Sequence, residues 1–313
     1  MNTEVRQPGA DKGTGTPAAP GPPVFPEWHF SQGKLDLSTP VVMGILNLTP
    51  DSFSDGGVLA SVEEALIRGR TALEEGARIL DVGGESTRPG SEPIPLVEEL
   101  RRVLPFIREA SEAGIGPLSI DTRNAAVARE ALRSGAQIVN DVSGLKHDPE
   151  MARVVAEEGA GLVLSHMRGT PANMKELAQY DDVVSEVTQE LGVSLSLALE
   201  AGIPKERIVV DPGIGFAKTG TQSLELLRNL ASLQALDCPI LVGPSRKSFI
   251  GEVTGLPPLD RLPGTLAACV LAYHWGARVF RVHDVAPIVQ ALSVTQAITG
   301  KGPPAHEDRN RRS

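Results

Sequence analysis

The chain is poor in cysteine, has no long apolar run and carries no internal block of basic residues. Each absence removes a class of protein. The two cysteines, Cys238 and Cys269, sit inside the apolar stretches DCPILV and AACVLAY and belong to no CxxC or other ligand spacing. They read as small core residues of a reducing compartment, not as a disulfide framework or a thiolate metal site. No apolar run reaches the roughly eighteen residues that a membrane span needs. Residues 1–24 lack the apolar segment of a signal peptide and are rich in Pro, Gly and Thr. The expectation is a cytoplasmic protein with disordered ends, residues 1–27 and 301–313. The net charge is −9 and the pI about 5.3, with RNRR at the very end as the one basic cluster. That balance argues against nucleic acid or an anionic membrane as partner. Neither GxGxxG nor GxxxxGK[ST] follows the first strand-like run, which counts against a nucleotide-binding open sheet.

What is present is a repeat. Gly-Ala-x-apolar occurs at Gly76, Gly135, Gly159 and Gly276, each time after a helical segment and before a β-like run. Glycine there suits the residue just past a helix end, with the chain then entering a strand. In SVEEALIRGRTALEEG, Ser61 and Glu64 have capping-box spacing, and Val62, Ala65, Leu66, Ala72 and Leu73 follow the helical period. Leu100, Val103, Leu104 and Ile107 predict the buried face of the next helix. Between helices lie short runs apolar in both phases: VVMGIL, RILDVG, LSID, QIVND, GLVLSH, RIVVD, PILVG and RVFRVHD. Such runs indicate parallel strands covered on both sides. Eight strands, each followed by a helix, predict an α/β protein with a (β/α)8 TIM barrel in one domain, residues 28–300. Residues 28–40 are expected to form a short hairpin closing the barrel's bottom.

A barrel of this kind works at the C-terminal ends of its strands. Those ends are Asn47; Asp81 followed by GGESTRPGS; Asp121-Thr122-Arg123; Asn140-Asp141; Ser165-His166-Met167-Arg168; Asp211 followed by PGIGFAKT; GPSRKS; and Arg281-Val282-His283-Asp284. Any one of these polar groups could simply cap a helix or bond a loop amide. Every strand ending in one points to a site that fills the mouth. Thr87, Arg88, Ser245, Arg246, Lys247, Arg281 and His283 suit an anion with several oxygens. Asp121, Asn140 and Asp211 lie deeper and need donors, which a planar N–H-rich ring supplies in pairs. Metal binding by the acids is a competing reading, but no short-spaced His/Cys/Asp cluster supports it. A magnesium ion arriving with a diphosphate and touching Asn47 fits better. Met167 and Phe216 read equally as core residues or as walls against a ring. His274 is assigned no role. One loop is longer than a turn requires: in VVMGILNLTPDSFSDGG the apolar run stops at Asn47, and Phe53 stands among polar residues.

These stretches resemble bacterial dihydropteroate synthase, the folate-pathway enzyme that sulfonamides inhibit. The resemblance spans residues 28–298 and rests on GILNLTPDSFSDGG, DVGGESTRPGS, IDT, IVND, HMRG, DPGIGF, GPSRKSFIG and RVHDV, in that order. It implies a transferase that joins hydroxymethyldihydropterin diphosphate to 4-aminobenzoate and releases pyrophosphate. By resemblance, Asp121, Asn140, Asp211 and Lys247 hold the pterin. Asn47, Thr87, Arg88, Arg281 and His283 hold the diphosphate, with Mg2+ at Asn47. Phe53, Pro89, Phe216 and Ser245 frame the aminobenzoate. The catalytic set would be Asp55, Lys247, Arg281 and His283, with no covalent nucleophile. The long loop becomes a lid in which Gly56 and Gly57 permit movement, Phe53 covers the aminobenzoate and Asp55 approaches a pterin-methylene cation. Homodimerisation through the late barrel helices is also implied. Ser165 stands where relatives often have methionine, and Ala217 where glycine is common. A methyltetrahydrofolate:corrinoid methyltransferase would not need STRPG or SRKS. A binding-only paralogue could have lost Asp51, Phe53, Asp55, Thr87, Arg88 or Lys247, and all are present.

Overall fold

The first apolar segments of the chain are spent on a plug rather than on the barrel. A hairpin of β1 (Glu27–Phe30) and β2 (Gly33–Asp36) pairs antiparallel, Trp28 opposite Leu35. The structure is a computed structural model that describes residues 26–49 and 57–300. Expectations on the flanking ends and on Asp51, Phe53, Asp55 and Gly56 of the long loop lie outside the described residues.

Eight parallel strands then close into a barrel: β3 (Val41–Asn47), β4 (Ile79–Gly83), β5 (Leu118–Asp121), β6 (Ile138–Asp141), β7 (Gly161–Ser165), β8 (Ile208–Asp211), β9 (Ile240–Val242) and β10 (Ala277–Val282). They pair in chain order, and β10 closes the ring on β3. The crossovers are α1 (Gly57–Glu74), α2 (Leu96–Glu112), α3 (Ala125–Arg133), α4 (Met151–Glu158), α5 (Val183–Glu200) and α6 (Gly220–Arg228), followed by α7 (Ser248–Thr254), α8 (Leu262–His274) and α9 (Val285–Ile298). The expected TIM barrel is therefore what forms. It departs from one helix per strand after β9, where two helices follow. Gly255 ends α7 in the left-handed region at φ 74°, and Pro257 and Pro258 separate α7 from α8. Among the described residues no helix is long and apolar enough to cross a membrane.

The Gly-Ala repeat has the role its sequence predicts. Gly76, Gly135, Gly159 and Gly276 all have positive φ. At the first, Gly76 N–H donates to Leu73 O and Ala77 N–H to Ala72 O, the paired bonds that satisfy a helix's last carbonyls. Gly114 and Gly202 end α2 and α5 in the same way, with isoleucine in place of alanine.

Two local expectations change. Helix α1 starts at Gly57, so Ser61 lies inside the helix and not at its N-cap. The buried stripe of α2 is Glu99, Val103, Phe106, Ile107 and Ala110, with Leu100 and Leu104 only half-buried at its edge. Glu99 lies on the core-facing side because Thr122 Oγ1 and Asn124 Nδ2 each donate to it at 2.6 Å.

Inside the barrel, one strand phase makes the lower core. Val41, Met43, Ile79, Ile138, Val163, Val209, Leu241 and Val279 pack with Trp28, Phe30, Leu35 and Leu37 of the hairpin. The hairpin thus closes the bottom, and Trp28 fixes it by donating from Nε1 to Arg207 O at 2.9 Å. The other strand phase packs outward against the helices.

Candidate functional site

Side chains alternate across a strand, so the phase that is apolar in the lower barrel continues upward in steps of two. From Ile79 it reaches Asp81; from Ile138, Asn140; from Val163, Ser165; from Val209, Asp211; from Val279, Arg281. Pairing fixes the level: Asn47 lies opposite Gly83, Gly83 opposite Asp121, and Asp121 opposite Asn140, while Ser165 lies opposite Asp211. The residues expected to meet a donor-rich ring are therefore brought together as a polar layer on an apolar floor.

Asp81 ties that layer together, although the sequence reading gave it no role. Its Oδ2 accepts from Arg281 Nε at 2.6 Å and from Asn140 Nδ2 at 3.0 Å. Arg281 Nη2 donates to Asp121 Oδ2 at 2.6 Å. Oδ1 of Asp81 and Oδ1 of Asp121 are buried without a hydrogen-bond partner, so two carboxylate oxygens remain as acceptors for a ligand. Asp211 accepts from Gly213 N–H at 2.8 Å and from Ser165 Oγ at 3.1 Å. Strand phase would have found Asp81, because it follows Ile79 by two. The neighbouring Asp141 has the opposite phase. Its carboxylate accepts from Ser143 and from Leu145 N–H, so it organises a loop.

Burial sets the electrostatics. It pushes the carboxyls of Asp121 and Asp211 above the usual carboxylate range, against the pull of Arg281 on the first and of Gly213 N–H and Lys247 on the second. The Arg281 guanidinium is held charged: burial works against it, but Asp81 and Asp121 outweigh burial. Lys247 is lowered to about 8, by burial first and then by Arg281, with Asp211 and Asp121 opposing. Its Nζ lies 3.9 Å from the centre of the Phe216 ring. The Lys247 stem runs so close to Gly215 (φ 80°) that a Cβ there would stand 3.2 Å from Cδ. Phe216 otherwise packs in a buried cluster with Val142, Met167, Met174 and Ala217. Met167 is thus a core residue, and Phe216 is both core and platform.

At the rim, Ser245 Oγ accepts His283 N–H at 3.2 Å and lies 3.0 Å from His283 Nδ1. Burial, then Arg281 and Arg246, lowers His283 to about 4. The ring is therefore neutral at pH 7 and shares one hydrogen bond between Nδ1 and Ser245 Oγ. Arg246, grouped with the anion-binding cations on sequence, is instead forked onto Asp284 at 3.0 and 2.5 Å. That ion pair locks the loops after β9 and β10 together and withdraws Arg246 from the mouth. The loop after β4 is pinned from beneath by the buried pair Arg123 Nη2–Glu85 Oε2 at 2.8 Å and from the side by Gly90 N–H on Pro171 O at 2.8 Å. It presents Thr87 half-buried and Arg88 and Pro89 exposed.

One more buried charge escaped the sequence reading. Lys218 is 8% exposed, and its Nζ lies 2.8 Å from His166 Nδ1 and 2.9 Å from Phe216 O. A lone lysine in a loop carries no sequence signal of burial. Its cavity exists only because β7 delivers His166 next to it.

Among the described residues, no group of three His, Cys, Asp or Glu side chains is arranged to hold a metal ion. Asn47 offers a hard carboxamide oxygen beside Gly83 at the rim, a suitable single protein ligand for a magnesium ion that brings its other ligands with it.

Comparison with known proteins agrees with this geometry. The profile of the pterin binding enzyme family matches residues 43–283. A dihydropteroate synthase of Synechocystis sp. is 47% identical over 258 residues, which is 82% of this chain and 89% of that protein. A crystal structure of Xanthomonas albilineans dihydropteroate synthase with 4-aminobenzoic acid superposes at a TM-score of 0.82 with 45% identity, covering 88% of this chain and 98% of that one. The same enzyme has been seen in complex with 7,8-dihydropteroate, at a TM-score of 0.79, 43% identity and coverage of 88% and 99%. The Yersinia pestis dihydropteroate synthase, solved with a sulfonamide drug, superposes at 0.82 with 39% identity, covering 88% and 99%.

Proposed function

The chain belongs to the pterin binding enzyme family, and from that premise we propose that it catalyses the dihydropteroate synthase reaction. The methylene carbon of hydroxymethyldihydropterin diphosphate passes to the amino group of 4-aminobenzoate, and pyrophosphate leaves. The observation that carries this reading is the polar layer of Asp81, Asp121, Asn140, Asp211 and Arg281 on the apolar floor of one barrel, with Lys247 near its carboxylates. A ring rich in N–H donors on one edge, with a polyanion at its other end, matches that layout.

In this reading Asp121, Asn140 and Asp211 accept the ring's N–H groups, and Lys247 lies along its edge. Asn47, Thr87, Arg88, Arg281 and His283 face the diphosphate. Phe53, Pro89, Phe216 and Ser245 frame the aminobenzoate. The bond from the methylene carbon to the diphosphate oxygen breaks with its electron pair leaving on oxygen, where the cations and the His283 ring stabilise the new charge. The pterin-methylene cation left behind is attacked by the aniline nitrogen, which then loses a proton. A dry barrel keeps water from taking the nitrogen's place. Asn47 would hold a magnesium ion, which when bound would supply Lewis-acid stabilisation of the leaving group. Asp55, in the loop between β3 and α1, is assigned to the methylene cation. The testing experiment is Asp55→Ala: turnover should fall by more than about a hundredfold, with dihydropterin affinity within about threefold. Equal losses in both would contradict the assignment.

We read the active species as a cytoplasmic homodimer. Both cysteines are buried and unpaired, with thiols pushed up to about 12 by burial, as a reducing compartment allows. Helices α6, α7 and α8 turn Leu224, Val253 and Leu271 outward in one apolar region, with Val253 68% exposed. That face suits a second copy of the chain.

A further inference from the structure

We propose that Lys218 is a positioning residue for the aminobenzoate side of the site, acting through the backbone of Phe216; the inference rests on the synthase reading above. Lys218 touches neither rim nor floor. Its amine lies under the loop that leads from β8 to α6, 2.9 Å from Phe216 O and 2.8 Å from His166 Nδ1, with His166 O at 3.4 Å. Since Lys218 donates to Nδ1, the His166 ring carries its proton on Nε2, which donates to Glu190 Oε2 at 3.0 Å. Glu190 is held in turn by Arg168 and Lys146. A chain of bonds thus runs from α5 through the end of β7 to the carbonyl of one aromatic residue.

That carbonyl matters because the loop has little other freedom. Gly213 sits at φ 67° with its Cα against His166 O, where a Cβ would stand 1.9 Å away. Phe216 N–H bonds Gly213 O at 2.9 Å, and Thr219 starts α6 with a reciprocal capping box. Between these anchors, Lys218 fixes the height of Phe216. The Phe216 ring, which also lies 3.9 Å from Lys247 Nζ, is the part of the loop that this staple sets. A buried lysine amine is costly: burial lowers Lys218 to about 7, and no carboxylate bonds it directly. An apolar residue would fill the space at lower cost to folding, so the amine is explained by what it holds in place.

The test is a double-mutant comparison of the full-length enzyme: wild type, Lys218→Met, Phe216→Ala and the pair, each checked for folding by circular dichroism. Wild-type turnover tests the synthase reading separately; if it is absent, that reading fails before this one is reached. With an active wild type, Lys218→Met should raise the KM for 4-aminobenzoate about tenfold, with dihydropterin affinity within about threefold. In the Phe216→Ala background the same substitution should change that KM by less than about twofold. A structural role alone would lower kcat and both affinities together, or act equally in both backgrounds, and either result overturns the proposal. Should Lys218→Met not fold, Lys218→Gln, whose shorter side chain leaves Phe216 O unbonded while keeping a polar group in the cavity, carries the same comparison with the same outcomes.

Discussion

Arg281, on the last strand of the barrel, donates from Nη2 to Oδ2 of Asp121 at 2.6 Å, and its Nε donates to Asp81 at the same distance. One guanidinium thereby neutralises two buried carboxylates from strands on its own side of the ring. Removing it leaves both without compensation. Arg281→Met should cost about 3 kcal/mol or more in chemical denaturation at pH 7, and adding Asp121→Asn should recover part of that loss. The pH sign follows. Without Arg281 the Asp121 carboxyl, raised by burial, holds its proton more tightly folded than unfolded, so the variant loses stability as pH rises past the ordinary carboxylate range and regains it below about pH 4.

A bell-shaped kcat/KM is expected. On the proposed reading Asp121 and Asp211 accept ligand N–H groups best when ionised, and burial raises both, so activity climbs as pH rises through their elevated range. Lys247, lowered to about 8, loses its charge on the alkaline side, so activity falls above about pH 8. Lys247→Arg should remove that alkaline fall while leaving the acid limb in place. An unchanged alkaline limb in steady-state profiles would reassign it to another group.

Glycines of like φ are predicted to differ in tolerance. Gly213→Ala combines φ 67° with a Cβ 1.9 Å from His166 O, whereas Gly90→Ala has φ 85° and nothing within 4 Å. The first should cost about 3 kcal/mol or prevent folding, and the second about 1 kcal/mol, by denaturant midpoint at constant slope.

On the proposed reading Ser165 acts on ligand recognition at one remove, through Asp211. Its hydroxyl donates to Asp211 Oδ2 at 3.1 Å and favours the ionised carboxylate. Ser165→Ala should raise the Asp211 pKa, move the acid limb of kcat/KM to higher pH and weaken dihydropterin binding about tenfold at pH 7 by titration calorimetry.

Much of this architecture is visible in the chain because the physics is local. Runs such as GLVLS and IVVD are apolar in both phases and can only be strands covered on both sides. Glycine after a helix is needed for φ near 100°, so GARIL and GAQIV announce helix ends. Gly114 and Gly202 do the same work without the Gly-Ala signature, because isoleucine follows each. The face of α2 was read one position off because Glu99 is a buried carboxylate, which a hydrophobic period counts as exposed; its donors come from Thr122 and Asn124, over twenty residues away. Asp81 and Lys218 were missed for related reasons. The role of the first depends on strand phase inside a run apolar on both sides, and that of the second on a neighbour supplied by a different strand.

The most direct test of the whole account is pyrophosphate release by the purified chain given dihydropterin diphosphate and Mg2+, with and without 4-aminobenzoate, the product identified by mass. The account predicts release that depends on 4-aminobenzoate, with one dihydropteroate formed per pyrophosphate and both abolished by Lys247→Met. Tight dihydropterin binding with no dihydropteroate would contradict it and leave a chain that binds a pterin without turning it over.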